Sequence, residues 1–161
     1  MLLTMLTLLT VATPSGADTT FTVQRGDRLE VAVHNGNITV RASDGNTVEV
    51  RTSDDGRVRG DRGGGRVRIS TDARRHGPSD GVDYTISAPA WMSLSLNGVN
   101  TDVRVTGSNA DVSATTVEGD IEVRGGNGVI TLQSVDGSVK LSDARGKIDV
   151  SSVNSDVIVD G

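Results

Sequence analysis

The feature that most constrains this chain is a nine-residue spacing of aliphatic side chains in its second half. Steps of nine from Leu94 reach Val103, Val112, Ile121, Ile130, Val139, Ile148 and Val157, and the same steps from Leu96 reach Val105, Ala114, Val123, Leu132, Leu141, Val150 and Val159. All sixteen positions are aliphatic although hydrophobic residues make up 35% of the chain, so the spacing is a true internal repeat. Each pair brackets one residue, as in Val103-Arg104-Val105, Ile121-Glu122-Val123 and Val139-Lys140-Leu141. That alternation belongs to a strand with one buried face.

Nine residues hold one short strand and one turn, with no room for a helix between strands. The full repeat is eighteen: Val99, Val117, Val135 and Val153 recur at one corner, and Ser108, Gly126 and Ala144 at the other. The expectation is an all-β, parallel β-solenoid of the β-helix or β-roll kind, in which each eighteen-residue coil contains two nine-residue strand–turn units. Valines would turn inward at one corner and only small residues at the other. Coils stacking at about 4.8 Å would place residues eighteen apart on top of one another.

The exposed positions fit this register. Arg104, Glu122, Lys140 and Ile158 form one outward row whose charge alternates over three coils; opposite charges on neighbouring strands stabilise and like charges repel. The other outward face carries Ser113, Thr115, Thr131, Gln133, Asp149 and Ser151. It is polar and nearly uncharged, and is the candidate interaction face. Its Ser-x-Thr, Thr-x-Gln, Asp-x-Ser pattern is too irregular for an ice-binding ladder.

Upstream of Leu94 the register loosens. Alternating segments at Leu29–Val33, Ile38–Val40, Val48–Val50, Arg66–Ile69 and Tyr84–Ile86 are separated by Gly-rich loops, the longest at Asp54–Gly65 and Asp72–Gly81. Residues 18–93 are expected to form earlier, irregular coils of one domain spanning 18–161, with the first strand as its cap, and 94–161 the regular coils. Residues 18–78 carry +2 and 79–161 carry −7. The net charge of −5 argues against nucleic acid as a partner. Beyond residue 17 there are 22 Val and 7 Ile but 5 Leu, and the chain has one Phe, one Tyr and one Trp, which suits a narrow interior of β-branched side chains. The chain has no cysteine, which excludes disulfides, thiolate metal sites and a lipidated amino-terminal cysteine.

Leu2–Ala12 is a short apolar run followed by Pro14-Ser15-Gly16-Ala17. Small residues at Ser15 and Ala17 suit a signal-peptidase site, so residues 1–17 are expected to be a signal peptide and the protein exported, to the periplasm, the cell surface or the medium. The run is too short for a transmembrane helix, which needs about 20 apolar residues. At the other end, Asp156–Gly161 is a repeat strand with no polar cap after it. The expectation there is either further chain or end-to-end packing.

Asn35-Gly36-Asn37-Ile38-Thr39-Val40, then Val82–Pro89 with Ser93-Leu94-Ser95-Leu96, then Val117-Glu118-Gly119-Asp120-Ile121-Glu122-Val123 together resemble the bacterial putative-adhesin domain family, with its opening motif, its strand–proline–strand lead-in and its Gly-Asp-Val repeat. The resemblance spans about Thr22 to Gly161. It implies a secreted or surface-exposed β-solenoid of unknown function and supplies no catalytic residues. Thr101 and Ser155 stand where two coils would have the repeat glycine, and Ser138 where another would have the aspartate.

The remaining motifs favour structural readings. Gly125–Leu132 copies the glycines of a calcium-binding β-roll but has Ile130 where the liganding aspartate belongs, and Asp102, Asp111, Asp120 and Asp156 stand one place out of phase. The corner row Asn100, Glu118, Asp136 and Asn154 offers at most weak cation binding. His34 and His76 sit alone in glycine-rich turns, and no Gly-x-Ser-x-Gly elbow occurs. Arg-Gly-Asp-Arg appears at Arg25–Arg28 and Arg59–Arg62, an attachment tripeptide that is also an ordinary turn sequence. The seven arginines between Arg57 and Arg75 read as a solvated hairpin with Gly63–Gly65 at its tip. No catalytic, cofactor or metal residues are assigned. The expected function is a non-enzymatic surface or envelope binding, adhesin or scaffold module for a cell-surface, envelope or glycan partner. The alternatives are a small carbohydrate-active enzyme, whose mark would be a cleft joining carboxylates with Arg25, Arg28 or the 57–75 arginines, and a structural polymerising coil.

Overall fold

A computed structural model describes residues 19–53, 59–70 and 81–161; the expected signal peptide lies outside them. The described residues form thirteen strands and no helix: β1 (Thr19–Thr22), β2 (Arg28–Ser43), β3 (Thr47–Thr52), β4 (Arg59–Gly63), β5 (Arg66–Ser70), β6 (Tyr84–Pro89), β7 (Ser93–Ser108), β8 (Val112–Glu118), β9 (Ile121–Gly125), β10 (Asn127–Asp136), β11 (Val139–Ser142), β12 (Arg145–Ser152) and β13 (Val157–Asp160). They make one mixed, largely parallel sheet. The pairings β1–β3, β3–β6 and β4–β5 are antiparallel. With no helix described, none is long and apolar enough to cross a membrane.

The sheet divides into two stacks because β2 and β7, sixteen residues each, run through a bend and serve both. One stack runs β4-β5-β2-β7-β8-β10-β12, and the other β1-β3-β6-β2-β7-β9-β11-β13. The apolar sides of both contribute to a single core. From β7 onward each pairing advances by eighteen residues. Leu94 lies beside Val112, Val112 beside Ile130 and Ile130 beside Ile148, while Val103, Ile121, Val139 and Val157 form the equivalent row.

The first half departs from chain order. β2 sits between the β5/β6 pair and β7, so segments close in sequence do not stack in succession. At this end β1 closes one stack and β4 the other. β4 falls inside the expected Asp54–Gly65 loop and forms a hairpin with β5 across Gly64 and Gly65, both at positive φ. Gly60 of β4 has no side chain because the Phe21 ring of β1 occupies that space. One aromatic ring thus links the two closing strands.

One corner also differs from expectation. Val117, Val135 and Val153 are exposed, Val153 to 72%, and Val99 is only partly buried. The interior is taken by the hydroxyl residue just before Val117, Val135 and Val153. The Thr116 hydroxyl lies within 3.1–3.2 Å of the carbonyls of Val99, Thr101 and Glu118 and gives its one proton among them, while Ser134 donates to Gly119 at 3.2 Å and Ser152 to Gly137 at 3.0 Å. A bend leaves backbone carbonyls unpaired, and a buried unpaired carbonyl costs more than a buried methyl gains. The polar residue therefore wins the inward place. The opposite corner keeps small residues: Ser108 and Gly126 are buried and Ala144 partly so.

The glycine replacements are explained at the same corner. Thr101 is buried, with its hydroxyl 3.4 Å from the Val33 carbonyl, and a side chain on Gly98 would collide with it. The missing side chain at Gly98 makes room for the extra one at Thr101. On the outermost strands, Ile148 and Val157 are about two-fifths exposed, although Ile130 and Val139 in the same rows are fully buried.

Candidate functional site

The candidate interaction face lies on the first stack. Ser113, Thr131 and Asp149 are in register on β8, β10 and β12, as are Thr115, Gln133 and Ser151. Four of the six are exposed; Thr115 and Thr131 are partly buried. The two rows continue onto β7 through Ser95 and Asn97 and onto β2 through Glu30 and Ala32. The sequence thus identified a real surface of small polar groups.

The cavity, however, is on the other stack. A trough of about 530 Å³ crosses β6, β2, β7, β9 and β11 and reaches Ile158 on β13. One wall is a row formed by Asp83, Asn37, Asp102, Asp120 and Ser138, and the other a row of Thr85, Thr39, Arg104, Glu122 and Lys140. Between them lie Tyr84, Ile38, Val103, Ile121 and Val139, whose side chains are buried in the core. The Arg104 Nε donates to Glu122 Oε2 at 3.1 Å, and Arg124 approaches the other oxygen at 3.5 Å. The expected charge alternation in Arg104, Glu122 and Lys140 is therefore one wall of this trough. Each wall is partly visible in the repeat, through Arg104, Glu122 and Lys140 on one side and Asp102, Asp120 and Ser138 on the other, and is completed by Thr39, Thr85, Asn37 and Asp83 from strands outside it.

The acids of this wall have a structural use as well. Asp83 Oδ1 accepts from the Asn37 backbone N–H at 3.0 Å and from its side-chain amide at 2.8 Å. Asp102 Oδ1 accepts from the Asp120 N–H at 2.9 Å, and Asp120 Oδ1 from the Ser138 N–H at 2.8 Å. Asp111 serves the Val129 N–H in the same way at 2.8 Å. Asp102, Asp111 and Asp120 each tie their own strand to the backbone eighteen residues on, and Asp83 ties the entry of β6 to β2. In the corner row, the Asn154 amide donates to Asp136 at 2.6 Å. Among the described residues no three His, Cys, Asp or Glu side chains gather as a metal site requires.

The two Arg-Gly-Asp-Arg strings meet. Asp27 of the first accepts the Gln24 N–H at 2.9 Å and faces Arg62 of the second at 3.5 Å. Its side chain is only 11% exposed, so a carboxylate that an attachment tripeptide must display is committed to its own turn. Arg25 lies over the Trp91 ring at 5.7 Å, and Arg66 and Arg68 share Glu30 at 3.3 and 3.2 Å. Arg57, Arg74, Arg75 and His76 lie outside the described residues. His34 is exposed in the middle of β2 rather than in a turn.

No family model matches the chain, and no curated protein is similar to it in sequence. Solved structures are. The chain resembles the crystal structure of a putative cell adhesion protein from Clostridium sporogenes, with a TM-score of 0.59 and 8% identity, over 89% of this chain and 98% of that one. The two chains share a fold. A putative adhesin from Bacteroides fragilis also matches, at a TM-score of 0.41 and 10% identity over 89% and 96% of the two chains. At such identities the likeness is one of architecture, in keeping with the resemblance carried by the sequence motifs.

Proposed function

We propose that the chain is an exported, non-enzymatic adhesin or binding module of the cell surface or envelope: a β-solenoid of eighteen-residue coils occupying residues 18–161, preceded by a signal peptide. The observation that carries this reading is the in-register stacking of outward residues. Rows such as Arg104–Glu122–Lys140 and Ser113–Thr131–Asp149 place groups at fixed intervals on a rigid support, which suits recognition of an extended partner better than enclosure of a small molecule. The fold shared with a putative cell adhesion protein supports the same reading. The trough is the leading surface, and the Ser113, Thr115, Thr131, Gln133, Asp149 and Ser151 face the second.

The test is binding of the purified mature protein to intact bacterial and host cells, envelope fractions and a glycan array. Saturable binding to one of these is the expected result; none at micromolar protein would overturn the proposal. The same preparation incubated with polysaccharides should release no reducing ends. Their release would place the chain among carbohydrate-active enzymes.

A further inference from the structure

The trough has a length, a period and a charge, and together these select a ligand. Four strand spacings of about 4.8 Å separate β6 from β11, giving a channel of about 19 Å. Anything lying along it meets a new pair of wall residues at every strand. The walls are hydroxyl, amide, carboxylate, guanidinium and ammonium groups, with Ile158 as the aliphatic side chain at the far end. Tyr84 is buried beneath the floor and offers no ring for stacking. Glu122 is shared by Arg104 and Arg124, so the carboxylates of Asp83, Asp102, Asp120 and Glu122 outnumber the cations of Arg104, Arg124 and Lys140 by one. Each of these aspartates gives one oxygen to a backbone N–H and keeps a second.

We infer that the trough binds a linear, extended polysaccharide bearing free amino groups, an inference that rests on the binding-module reading above. A pyranose in an extended β-linked chain advances by nearly one strand spacing and is turned by about half a revolution from the sugar before it, so equivalent groups recur at every second strand, as Asp83 at the entry of β6 and Asp102 on β7 do. An extended peptide repeats its like-facing side chains about every 6.6 Å, which matches neither one strand spacing nor two. Sugar hydroxyls match Thr39, Thr85 and Ser138, and protonated amines match the aspartates. The excess of carboxylate repels uronic acids, because like charges brought together across an interface cost binding.

The full chain should be titrated calorimetrically at about pH 6, where amines are protonated and carboxylates are not. The probes are chitosan hexasaccharide, its fully N-acetylated counterpart, hexagalacturonate and hexalysine. The chitosan hexamer is expected to bind at least tenfold more tightly than each of the others, and to weaken as salt rises. Asp102→Asn and Asp120→Asn keep an oxygen for the backbone N–H and lose only charge. Each should weaken binding about tenfold, equivalent to about 1.4 kcal/mol, with unchanged thermal stability, whereas Ser113→Ala and Thr131→Ala on the other stack should leave binding unaltered. Equal binding of the N-acetylated or uronic hexamer overturns the inference. So does hexalysine binding as tightly as chitosan, or full affinity in both aspartate variants. Cell or envelope binding that survives in a chain unable to bind chitosan sinks this inference and leaves the adhesin reading standing; loss of both sinks both.

Discussion

Single side chains decide the corners. Thr116 brings one hydroxyl proton within reach of three carbonyls. Thr116→Val should therefore cost about 1–3 kcal/mol, because it strands buried acceptors while preserving shape. Thr116→Ser should cost much less, since serine fills the same place at positions 134 and 152. Urea denaturation of the two variants measures the difference. Gly119 is constrained twice: its φ is +135°, and a side chain there would run into the Thr101 carbonyl. Gly119→Ala should lower stability by about 1–3 kcal/mol, read as a fall in the urea midpoint. Gly45 also has positive φ but opens onto empty space, so Gly45→Ala is the matching control and should lose less.

At the scale of elements, the strands were written plainly in the aliphatic alternation, and the corners were not. Period-two patterning places Val103 and Val105 inward without ambiguity, but a bend breaks the period. Of two adjacent residues such as Thr116 and Val117, hydropathy then picks the valine, while the unpaired carbonyls of the bend select the threonine. The strand β4, Arg59–Gly63, has almost no apolar content, so its alternation is silent; the glycines at 63–65 mark the hairpin tip, and β5 supplies the edge that makes the arm a strand. The polar ladder of Ser113 and Thr131 was legible because it lies wholly within the repeat. The trough was half legible, since Thr39 and Thr85 join Arg104, Glu122 and Lys140 only through long-range pairing of β6, β2 and β7. Arg104 and Glu122, at side-chain exposures of 66% and 30%, form a pair worth about 0.5 kcal/mol at low salt. Glu122→Gln should lower the melting temperature slightly in dilute buffer, and the effect should vanish in molar salt.

The whole molecule is one mixed, largely parallel sheet with unlike ends. At one end the Phe21 ring fills the place of a Gly60 side chain and bridges β1 and β4. At the other, β12 and β13 each have a neighbour on one side only, and Ile148, Val157 and Val159 of the core rows are partly open to water. Stability in such a stack is close to a sum of nearest-neighbour terms. Hydrogen exchange at β12 and β13 should accordingly be faster than at β7 and β9, which are paired on both sides, by orders of magnitude at neutral pH. Uniform protection across all strands would show instead that the stack opens as a single unit.

The hydroxyl corner makes length a counted quantity. The inward aliphatic rows repeat every nine residues, so the core alone would accept an insertion of nine. The hydrogen bonds of Ser134 and Ser152 reach back fifteen residues to Gly119 and Gly137, glycines that recur every eighteen. Duplicating residues 112–129 would give each new group the neighbour it already has, and the longer protein should fold with added stability. Duplicating residues 112–120 would carry the serines to the corner that lacks those carbonyls and should lose it. A gene encoding this chain can thus grow or shrink by whole eighteen-residue units but not by halves, and each added unit would lengthen the trough by one strand spacing, making the reach of the surface heritable in fixed steps.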